Sequence, residues 1–571
     1  MDSDNKGYWT VTVDDCPPGT LYYYHLDDER DRPDPASFFQ PDGVHRASQV
    51  IDHQSFAWQD NEWNGIDKKE MIIYELHVGT FTDEGSFASA GQRLDDLKEL
   101  GINAIELMPV AQYPGSRNWG YDGVYPFAVQ NSYGGPDGLK EFVNACHMRG
   151  MAVILDVVYN HLGPEGNYIW DFGPYFTDKY KSPWGKAINF DGEHNQGVRN
   201  FFIENALYWI DYFHCDALRL DAIHGIYDYS DRPFLLELAE SVKEFSTRKA
   251  RKYYLMAESD LNAVSAARPA NKRGLGLDVL WCDDFHHAMH TLIAGEDSGY
   301  YVDYGSVDHL VKSLQEGFVY SGEYSKFRKR NHGTSSRELS ADSFIVFSQN
   351  HDQIGNRVKG DRIASLVSFE AQKLAAGIIL LSPFIPLLFM GEEYGEIRPF
   401  LYFTSHSDPG LIEGIRKGRK KEFEKFRWKA DPADPQSEET YALSKIDWTK
   451  RVSGDHHILL NFYRELIHLR KKIAALSHLD KESMTVWGDE KNKVIMVERW
   501  HKKSRVLILI NVNGSDVSIK PVTDDREWNK IMDSSESKWN GPGTLLKESM
   551  NGRHDVVMRG HSLVLFEIDN N

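Results

Sequence analysis

The chain has 571 residues, of which 41% are hydrophobic, so it exceeds one ordinary domain and can bury a large core. Its formal net charge is −20 at pH 7, which repels phosphate backbones and argues against nucleic acid as a partner. No apolar run is long enough to span a bilayer, which argues against a membrane partner, and the N-terminal MDSDNKGYWT lacks the pattern of a signal peptide. The four cysteines are far apart, with no metal-ligand spacing, so we expect a cytoplasmic protein with reduced thiols.

The first predicted unit is a β domain over residues 1–66. Residues 9–13 alternate, and residues 20–26 (TLYYYHL) have strand composition directly after the turn sequence PPG. This block is short for a free-standing β-sandwich. We therefore expect this block to pack against the domain that follows.

From residue 71 the pattern changes to short apolar runs that alternate with helical stretches. The runs are continuous rather than alternating, which is typical of strands buried on both faces of a parallel sheet. Eight such strand–helix units predict an α/β fold, a (β/α)8 barrel with loop insertions, over residues 67–478. A doubly wound sheet is the alternative, and it is disfavoured because no GxGxxG motif follows the first run. The runs are MIIYELHV, NAIELMPV, MAVILDVVYNH, ALRLDAIH, YYLMAES, VLWCDDFHH, FIVFSQNHD and IPLLFMGEEYG.

The end of the chain returns to a different pattern. Residues 458–473 (ILLNFYRELIHLRKKI) are strongly amphipathic and are predicted to form a helix that closes the barrel. The runs VIMVERW, RVLILINVN and HSLVLFEI come after it. They predict a C-terminal antiparallel β domain over residues 479–571.

Three acids stand where predicted barrel strands end, which is the face that carries active sites in this fold. Asp221 comes after the apolar part of the fourth run, Glu258 comes after that of the fifth, and Asp352 comes after that of the seventh. Arg219 shares a strand face with Asp221 and should hold it ionised, as a nucleophile requires. Glu258 follows apolar residues that can raise its pKa, which suits a general acid.

Further polar residues stand at the ends of the same runs. Asp156, Asn160 and His161 follow the third run, His224 the fourth and His351 the seventh. Each alone also fits a structural role, because a strand-end Asp is often a helix N-cap and a lone His is usually a hydrogen-bonding residue. Their joint occurrence at successive strand ends favours a site that cleaves a glycosidic bond.

The segments DVVYNH, DALRLDAIH, LMAES and FSQNHD resemble the four signature regions of the α-amylase superfamily of glycoside hydrolases, in the order of that family. The resemblance implies that Asp221 is the nucleophile, Glu258 the general acid/base and Asp352 the stabiliser of the transition state. It also implies sugar contacts by Tyr121, His161, Arg219, His224, Asn350, His351 and Gln353.

Longer loop strings narrow the resemblance. PGSRNWGYDGV, NHLGPEGNY, WCDDFHHAMH, GFVYSGEYS and LLFMGEEYGEIRPFLYFTSH are similar to the malto-oligosyltrehalose trehalohydrolases. This similarity implies retaining hydrolysis of the α-1,4 bond next to a terminal trehalose, and a pathway link to the maltooligosyltrehalose synthase that would supply the substrate. It implies a shortened N-terminal domain of the glycogen-binding type. It also places Asp283, Asp284 and His287 near the reducing-end subsites, although Cys282 stands where an Asn is expected.

Other functions fit the same barrel motifs. A glycogen-branching enzyme or another α-glucan transglycosylase would use the same three acids, and a general α-1,4-glucan hydrolase would differ only in its loops. A non-catalytic glycan-binding protein is disfavoured because all three acids are present. We expect no cofactor and no required metal, and we leave the oligomeric state and the preferred chain length open.

Overall fold

The computed structural model describes residues 1–4, 7–423 and 431–568. All eight predicted runs form parallel strands of one closed barrel, and they follow one another around the barrel in chain order. Every residue of these strands is buried, which explains why the runs are continuously apolar. The barrel prediction is confirmed. The strands are β1 (Ile73–Leu76), β2 (Ala104–Leu107), β3 (Ala152–Val157), β4 (Ala217–Leu220), β5 (Tyr254–Ala257), β6 (Val279–Trp281), β7 (Phe344–Phe347) and β8 (Ile385–Phe389).

Helices follow seven of the eight strands and cover the outside of the barrel. After β5 the chain makes only short 3-10 turns, Val264–Ala266 and Ala270–Lys272, within a stretch that the structure describes throughout. The closing helix predicted over residues 458–473 begins slightly earlier, at Gly454, and ends at Lys472. The α-helices are Val78–Phe81, Phe87–Gly91, Leu94–Leu100, Gly135–His147, Asn195–Tyr212, Phe234–Lys249, Asp283–Ala294, Val307–Glu316, His351–Gly355, Ile363–Leu366, Phe369–Leu380, Pro409–Phe423, Glu438–Leu443, Gly454–Lys472 and Ala474–Ser477.

Long loops at the carboxyl end of the barrel carry small antiparallel ribbons. They lie after β2, β3 and β6, and they border the open end of the barrel. The paired strands are Ala111–Gln112 with Tyr125–Val129, Phe176–Ser182 with Gly185–Ile188, and Ser321–Ser325 with Arg330–Gly333.

The described part of residues 1–66 contains three two-stranded ribbons, and it packs on the barrel loops. Val44 forms a small apolar cluster with Val124, Tyr125 and Ala128, which belong to the loop after β2. The division of the chain at residue 66 stays a prediction. The paired strands are Asp2–Ser3 with Trp9–Thr10, Leu21–Tyr22 with Ser48–Gln49, and Tyr24–Leu26 with Arg30–Arg32.

A six-stranded antiparallel sheet forms the C-terminal domain, as predicted. The neighbouring strands across the sheet are Met484–Asp489, Val494–His501, Ser504–Asn511, Ser562–Ile568, Trp528–Asp533 and Ser549–Met550. A separate ribbon pairs Val517–Ile519 with Val556–Met558. The fully buried Arg499 joins this sheet to the barrel by donating to the carbonyls of Leu381 and Ser382 at 2.7 and 3.0 Å. The strands are β9 (Met484–Asp489), β10 (Val494–His501), β11 (Ser504–Asn511), β12 (Trp528–Asp533), β13 (Ser549–Met550) and β14 (Ser562–Ile568). In the described part of the chain, none of the helices combines the length and apolarity needed to cross a membrane.

Candidate active site

A cavity of about 930 Å³ opens at the carboxyl end of the barrel. The three predicted catalytic acids, Asp221, Glu258 and Asp352, all line it although they come from β4, β5 and β7. The order of the strands around the ring therefore brings together groups that are far apart in sequence. The other predicted site residues on the wall are Tyr121, His161, His224, Asp283, His287, His351 and Gln353.

The fully buried guanidinium of Arg219 lies at the centre of the site. Its Nη1 donates to Asp221 Oδ1 at 2.8 Å and to the two oxygens of Asp156 at 2.8 and 3.0 Å. Its Nη2 lies 3.5 Å from Glu258 Oε2, and the group stacks 4.5 Å from the centroid of the Trp281 ring. One cation is therefore shared by three carboxyl groups, two of which are predicted catalytic acids.

A tight turn after β4 couples the two central acids. Asn160 Nδ2 donates to Asp221 Oδ2 at 2.6 Å and to the Asp221 carbonyl at 2.9 Å. The next residue, Ala222, has a φ of +38° and donates its backbone N–H to Glu258 Oε2 at 2.6 Å. A positive φ is strained for alanine, and strain of this kind is typical of functional sites. The backbone beside Asp221 therefore positions Glu258.

The surroundings of Glu258 favour its protonated form. Burial raises the pKa of Glu258 well above its ordinary value, and the negative charges of Asp221, Asp352 and Asp283 act in the same direction while Arg219 opposes them. Burial also raises the pKa of Asp283, to about 7. A carboxyl group that stays protonated near neutral pH can donate a proton to a leaving oxygen.

A hydrogen-bonded chain of buried polar groups lies under the cavity. His351 Nδ1 contacts the Glu75 carboxylate, and its Nε2 lies 2.8 Å from Tyr121 Oη, which donates to Asp156 Oδ2 at 2.7 Å. Burial disfavours protonation of His351, but Asp352 and Glu75 outweigh it and raise the pKa of His351 to about 9. His351 is therefore cationic at neutral pH, with Nε2 3.5 Å from Asp352 Oδ2.

Two histidines and a tryptophan form another part of the wall. His161 Nε2 lies 3.0 Å from the Tyr121 carbonyl, and its ring stacks on Trp184 with centroids 5.5 Å apart. Trp184 occupies the turn of the ribbon after β3 and is 42% exposed, so part of the indole is open to solvent. His224 lines the same cavity, with Nε2 4.0 Å from Asp260 Oδ1.

The turn after β7 presents Asp352 to the cavity. Asn350 caps the helix His351–Gly355, since its Oδ1 accepts from the N–H groups of Asp352 and Gln353 at 2.9 and 3.2 Å. Gln353 Nε2 donates to Asp283 Oδ1 at 3.1 Å and joins this turn to the helix after β6. The side chain of Asp352 is 39% exposed, so its carboxylate can reach a bound sugar.

Three residues that the sequence predicted as substrate contacts lie behind the cavity wall. Asp284 is 3% exposed, and its Oδ2 accepts from the N–H groups of Val319 and Tyr320 at 2.7 and 2.8 Å. Asn350 is 1% exposed and caps a helix, and Arg219 lies below the cavity floor. In this structure the three side chains contact neighbouring protein groups, and their role as substrate contacts stays a prediction.

Sequence reasoning also missed much of the cavity wall. Most of the missing residues come from loops, where neither strand periodicity nor strand ends give a signal, although Arg419 lies on the helix Pro409–Phe423. For Trp184 the turn sequence SPWG offered a local signal. The additional lining residues include Trp119, Asp122, Trp184, Asp260, Tyr300, Phe327, Arg328, Asn356, Tyr402 and Arg419.

The barrel and the three converging carboxylates define the class as a glycoside hydrolase of the α-amylase type. The model of the family described as "Alpha amylase, catalytic domain" matches residues 37–183. A malto-oligosyltrehalose trehalohydrolase from Saccharolobus solfataricus is 48% identical over 489 residues, which cover 85% of this chain and 84% of that protein. One from Arthrobacter ramosus is 44% identical over 505 residues, which cover 87% and 86%.

A solved structure from Salmonella typhimurium, provisionally described as an alpha amylase, superposes with a TM-score of 0.87. It is 37% identical in sequence, and the match covers 97% of this chain and 91% of that chain. The chain belongs to the malto-oligosyltrehalose trehalohydrolase family.

Proposed function

We propose that this chain hydrolyses the α-1,4-glucosidic bond adjacent to the terminal trehalose of a maltooligosyltrehalose, releasing trehalose and a maltooligosaccharide. The observation that carries the proposal is the pair Asp221 and Glu258 on one cavity, both within reach of the Arg219 guanidinium, in a member of this family. The distant resemblance to branching enzymes does not favour transglycosylation, since one such relative is 27% identical over 69% of this chain.

Asp221 acts as the nucleophile in the first step. It attacks the anomeric carbon and forms a covalent glycosyl–enzyme ester, as retaining glycosidases do. The charge of Arg219 and the amide of Asn160 bind its two oxygens, so they hold the carboxylate in position and stabilise it before attack.

Glu258 acts as the general acid and then as the general base. Because its pKa is raised, Glu258 holds a proton, and it gives this proton to the leaving oxygen of trehalose. Trehalose departs, and the ionised Glu258 then removes a proton from water, which attacks the anomeric carbon and frees the maltooligosaccharide and Asp221. This double displacement requires the Asp221 and Glu258 carboxyl groups to lie about 5–5.5 Å apart, the separation typical of retaining glycosidases.

Asp352 and the cation His351 bind the sugar whose bond is cleaved. A carboxylate and an imidazolium can together hold adjacent hydroxyl groups, and bonds that strengthen as charge develops lower the barrier. Tyr121 lies beside His351 with ring centroids 5.3 Å apart and offers a flat face to the sugar ring. Asp283 and His287 bind the trehalose, on the part of the wall that the helix after β6 supplies.

The experiment that tests this function compares products from maltotriosyltrehalose and maltopentaose by chromatography. Fast release of trehalose from the first, with little cleavage of the second, supports the proposal. Equal cleavage of both would indicate a general α-1,4-glucan hydrolase, and new α-1,6 branches would indicate a transglycosylase. We further propose a cytoplasmic location, to which the four unpaired cysteines are suited, and cell fractionation would test it.

A further inference from the structure

A second cavity, of about 860 Å³, lies beside the catalytic one. Its wall is made by the loops after β2, β3 and β8 and by residues 39–46 of the N-terminal segment. We refer to it as the outer cavity. Because those loops leave the carboxyl ends of barrel strands, the outer cavity opens on the same face as the catalytic site. The lining residues are Phe39, Pro41, Asp42, Gly43, Val44, His45, Arg46, Pro114, Gly115, Ser116, Asn131, Ser132, Glu165, Ser405, His406 and Ser407.

A single buried layer separates the two cavities. His406 lines the outer cavity and its side chain is fully buried, with Nδ1 2.9 Å from Glu165 Oε2. Its Nε2 lies 3.6 Å from Oδ2 of Asp122, which lines the catalytic cavity. The Glu165 carboxylate also accepts the backbone N–H of Ser407. A glucan chain that leaves the catalytic cavity past Asp122 therefore has only the side chain of His406 to pass before it reaches the outer cavity.

The position of the outer cavity in the barrel indicates which end of the substrate can reach it. Asp283 and His287, assigned above to trehalose, belong to the helix that follows β6. In the ring of eight strands β2 lies opposite β6, so the loop after β2 is on the far side of the site from those residues. The outer cavity therefore lies on the side of the glucan and not of trehalose.

The chemistry of the wall fits an uncharged polyol. Hydroxyl groups of Ser116, Ser132 and Ser405 and the amide of Asn131 can exchange hydrogen bonds with sugar hydroxyls, and the ring of Phe39 offers an apolar face. The charged lining residues are of both signs, since Asp42 and Glu165 line the same cavity as Arg46. A wall of mixed sign gives no field that would favour an anion or a cation.

We propose that the outer cavity binds the outer glucosyl units of the glucan, beyond those held in the catalytic cavity, and that the N-terminal segment thereby contributes to substrate binding. This inference rests on the proposed function, since it assigns a site to the glucan part of that substrate. The N-terminal segment is fixed for this role by hydrogen bonds to the barrel loops, including Asn131 Nδ2 to the Pro41 carbonyl at 2.9 Å and His45 Nδ1 to Tyr168 Oη at 2.7 Å.

The test compares a short substrate, maltosyltrehalose, with a long one, maltohexaosyltrehalose. Ser116→Trp fills the outer cavity from an exposed position, and Phe39→Ala removes its apolar face; Ser518→Trp, on an exposed strand position of the C-terminal domain, is the matched control. We expect both cavity variants to lower kcat/KM about tenfold for the long substrate, which corresponds to about 1.4 kcal/mol of binding free energy lost from the outer glucosyl units. The short substrate and the control variant should change less than about twofold.

Equal losses for both chain lengths, or no loss for the long substrate, would overturn the inference. If the parent protein releases trehalose from neither substrate, the proposed function fails. Direct binding then tests whether the outer cavity holds a glucan. Calorimetric titration with maltoheptaose then supports the inference if Ser116→Trp binds it several-fold more weakly than the parent. Equal affinity would overturn it.

Discussion

Arg219 offers the sharpest test of how the site is held together, because one buried guanidinium serves both central acids. Replacing it with methionine keeps a side chain of similar length but removes every donor. The closest partners lost are Asp221 at 2.8 Å and Asp156 at 2.8 and 3.0 Å. Hydrogen bonds to charged groups contribute about 1.5–3 kcal/mol each, so two partners correspond to about 3–6 kcal/mol.

At about 1.4 kcal/mol for each factor of ten, Arg219→Met should lower kcat/KM for trehalose release by about 10²–10⁴. Removing the cation also raises the pKa of Glu258 further, since Arg219 is the group that opposes its rise. The assay is kcat/KM per folded molecule, with the folded fraction taken from thermal unfolding followed by circular dichroism. A loss of stability of a few kcal/mol is expected as well, because buried carboxylates are left unpaired.

The matched control is Arg499→Met. Arg499 is as deeply buried, but it donates to backbone carbonyls between the barrel and the C-terminal sheet and to no carboxylate of the site. This variant should unfold more easily while its folded molecules keep kcat/KM near that of the parent. The account would be refuted if Arg219→Met kept activity within about tenfold, or if both variants lost activity equally per folded molecule.

Three further predictions concern single charges. Asp283→Asn removes a negative charge that raises the pKa of Glu258, so the alkaline limb of the kcat/KM profile should move to lower pH; an unmoved limb would contradict the assignment of Glu258 as the acid. Asp284→Asn should lower stability by about 1–3 kcal/mol with KM nearly unchanged, since the Asp284 carboxylate accepts backbone N–H groups behind the cavity wall. A raised KM would contradict this structural role and support Asp284 as a substrate contact. Burial acts to raise the pKa of Asp60, but hydrogen bonds from His147 and His214 outweigh it and lower this pKa below its ordinary value. Asp60 therefore stabilises the fold above its ordinary pKa of about 3.9, and this contribution is lost as the pH falls through the lowered value. Asp60→Asn should thus lower Tm by the equivalent of about 1–3 kcal/mol at pH 7, and the difference from the parent should shrink in acid; a constant difference across pH would contradict this reasoning.

The barrel could be predicted from the sequence because burial on both faces leaves a strong mark. Each strand is a continuous apolar run followed by polar loop residues, and the parallel topology then brings the strand ends together. The same logic predicts that Asp221, Glu258 and Asp352 meet at one end of the barrel, and all three line one cavity. It could not show that β5 is followed by turns instead of a helix, since 3-10 turns of three residues are too short to leave a clear period in the sequence.

The sequence leaves the orientation of the site side chains open, for one physical reason. Sequence gives the position of a residue along the chain, but it does not tell whether its side chain turns towards the cavity or towards a neighbouring backbone. Asp283 and Asp284 are adjacent on the first turn of one helix, yet the first lines the cavity and the second binds the N–H groups of Val319 and Tyr320. The outer cavity depends on loops that meet only in the folded chain, so no local pattern could reveal it.

The most direct test of the central claim follows the digestion of maltotriosyltrehalose by proton NMR and reads both the products and the first-formed anomer. Double displacement through Asp221 and Glu258 predicts trehalose together with maltotriose that appears first as the α-anomer and then mutarotates. Maltotriose that appears first as the β-anomer would contradict the covalent intermediate on Asp221. A digest that contains no free trehalose would contradict the assignment of the substrate.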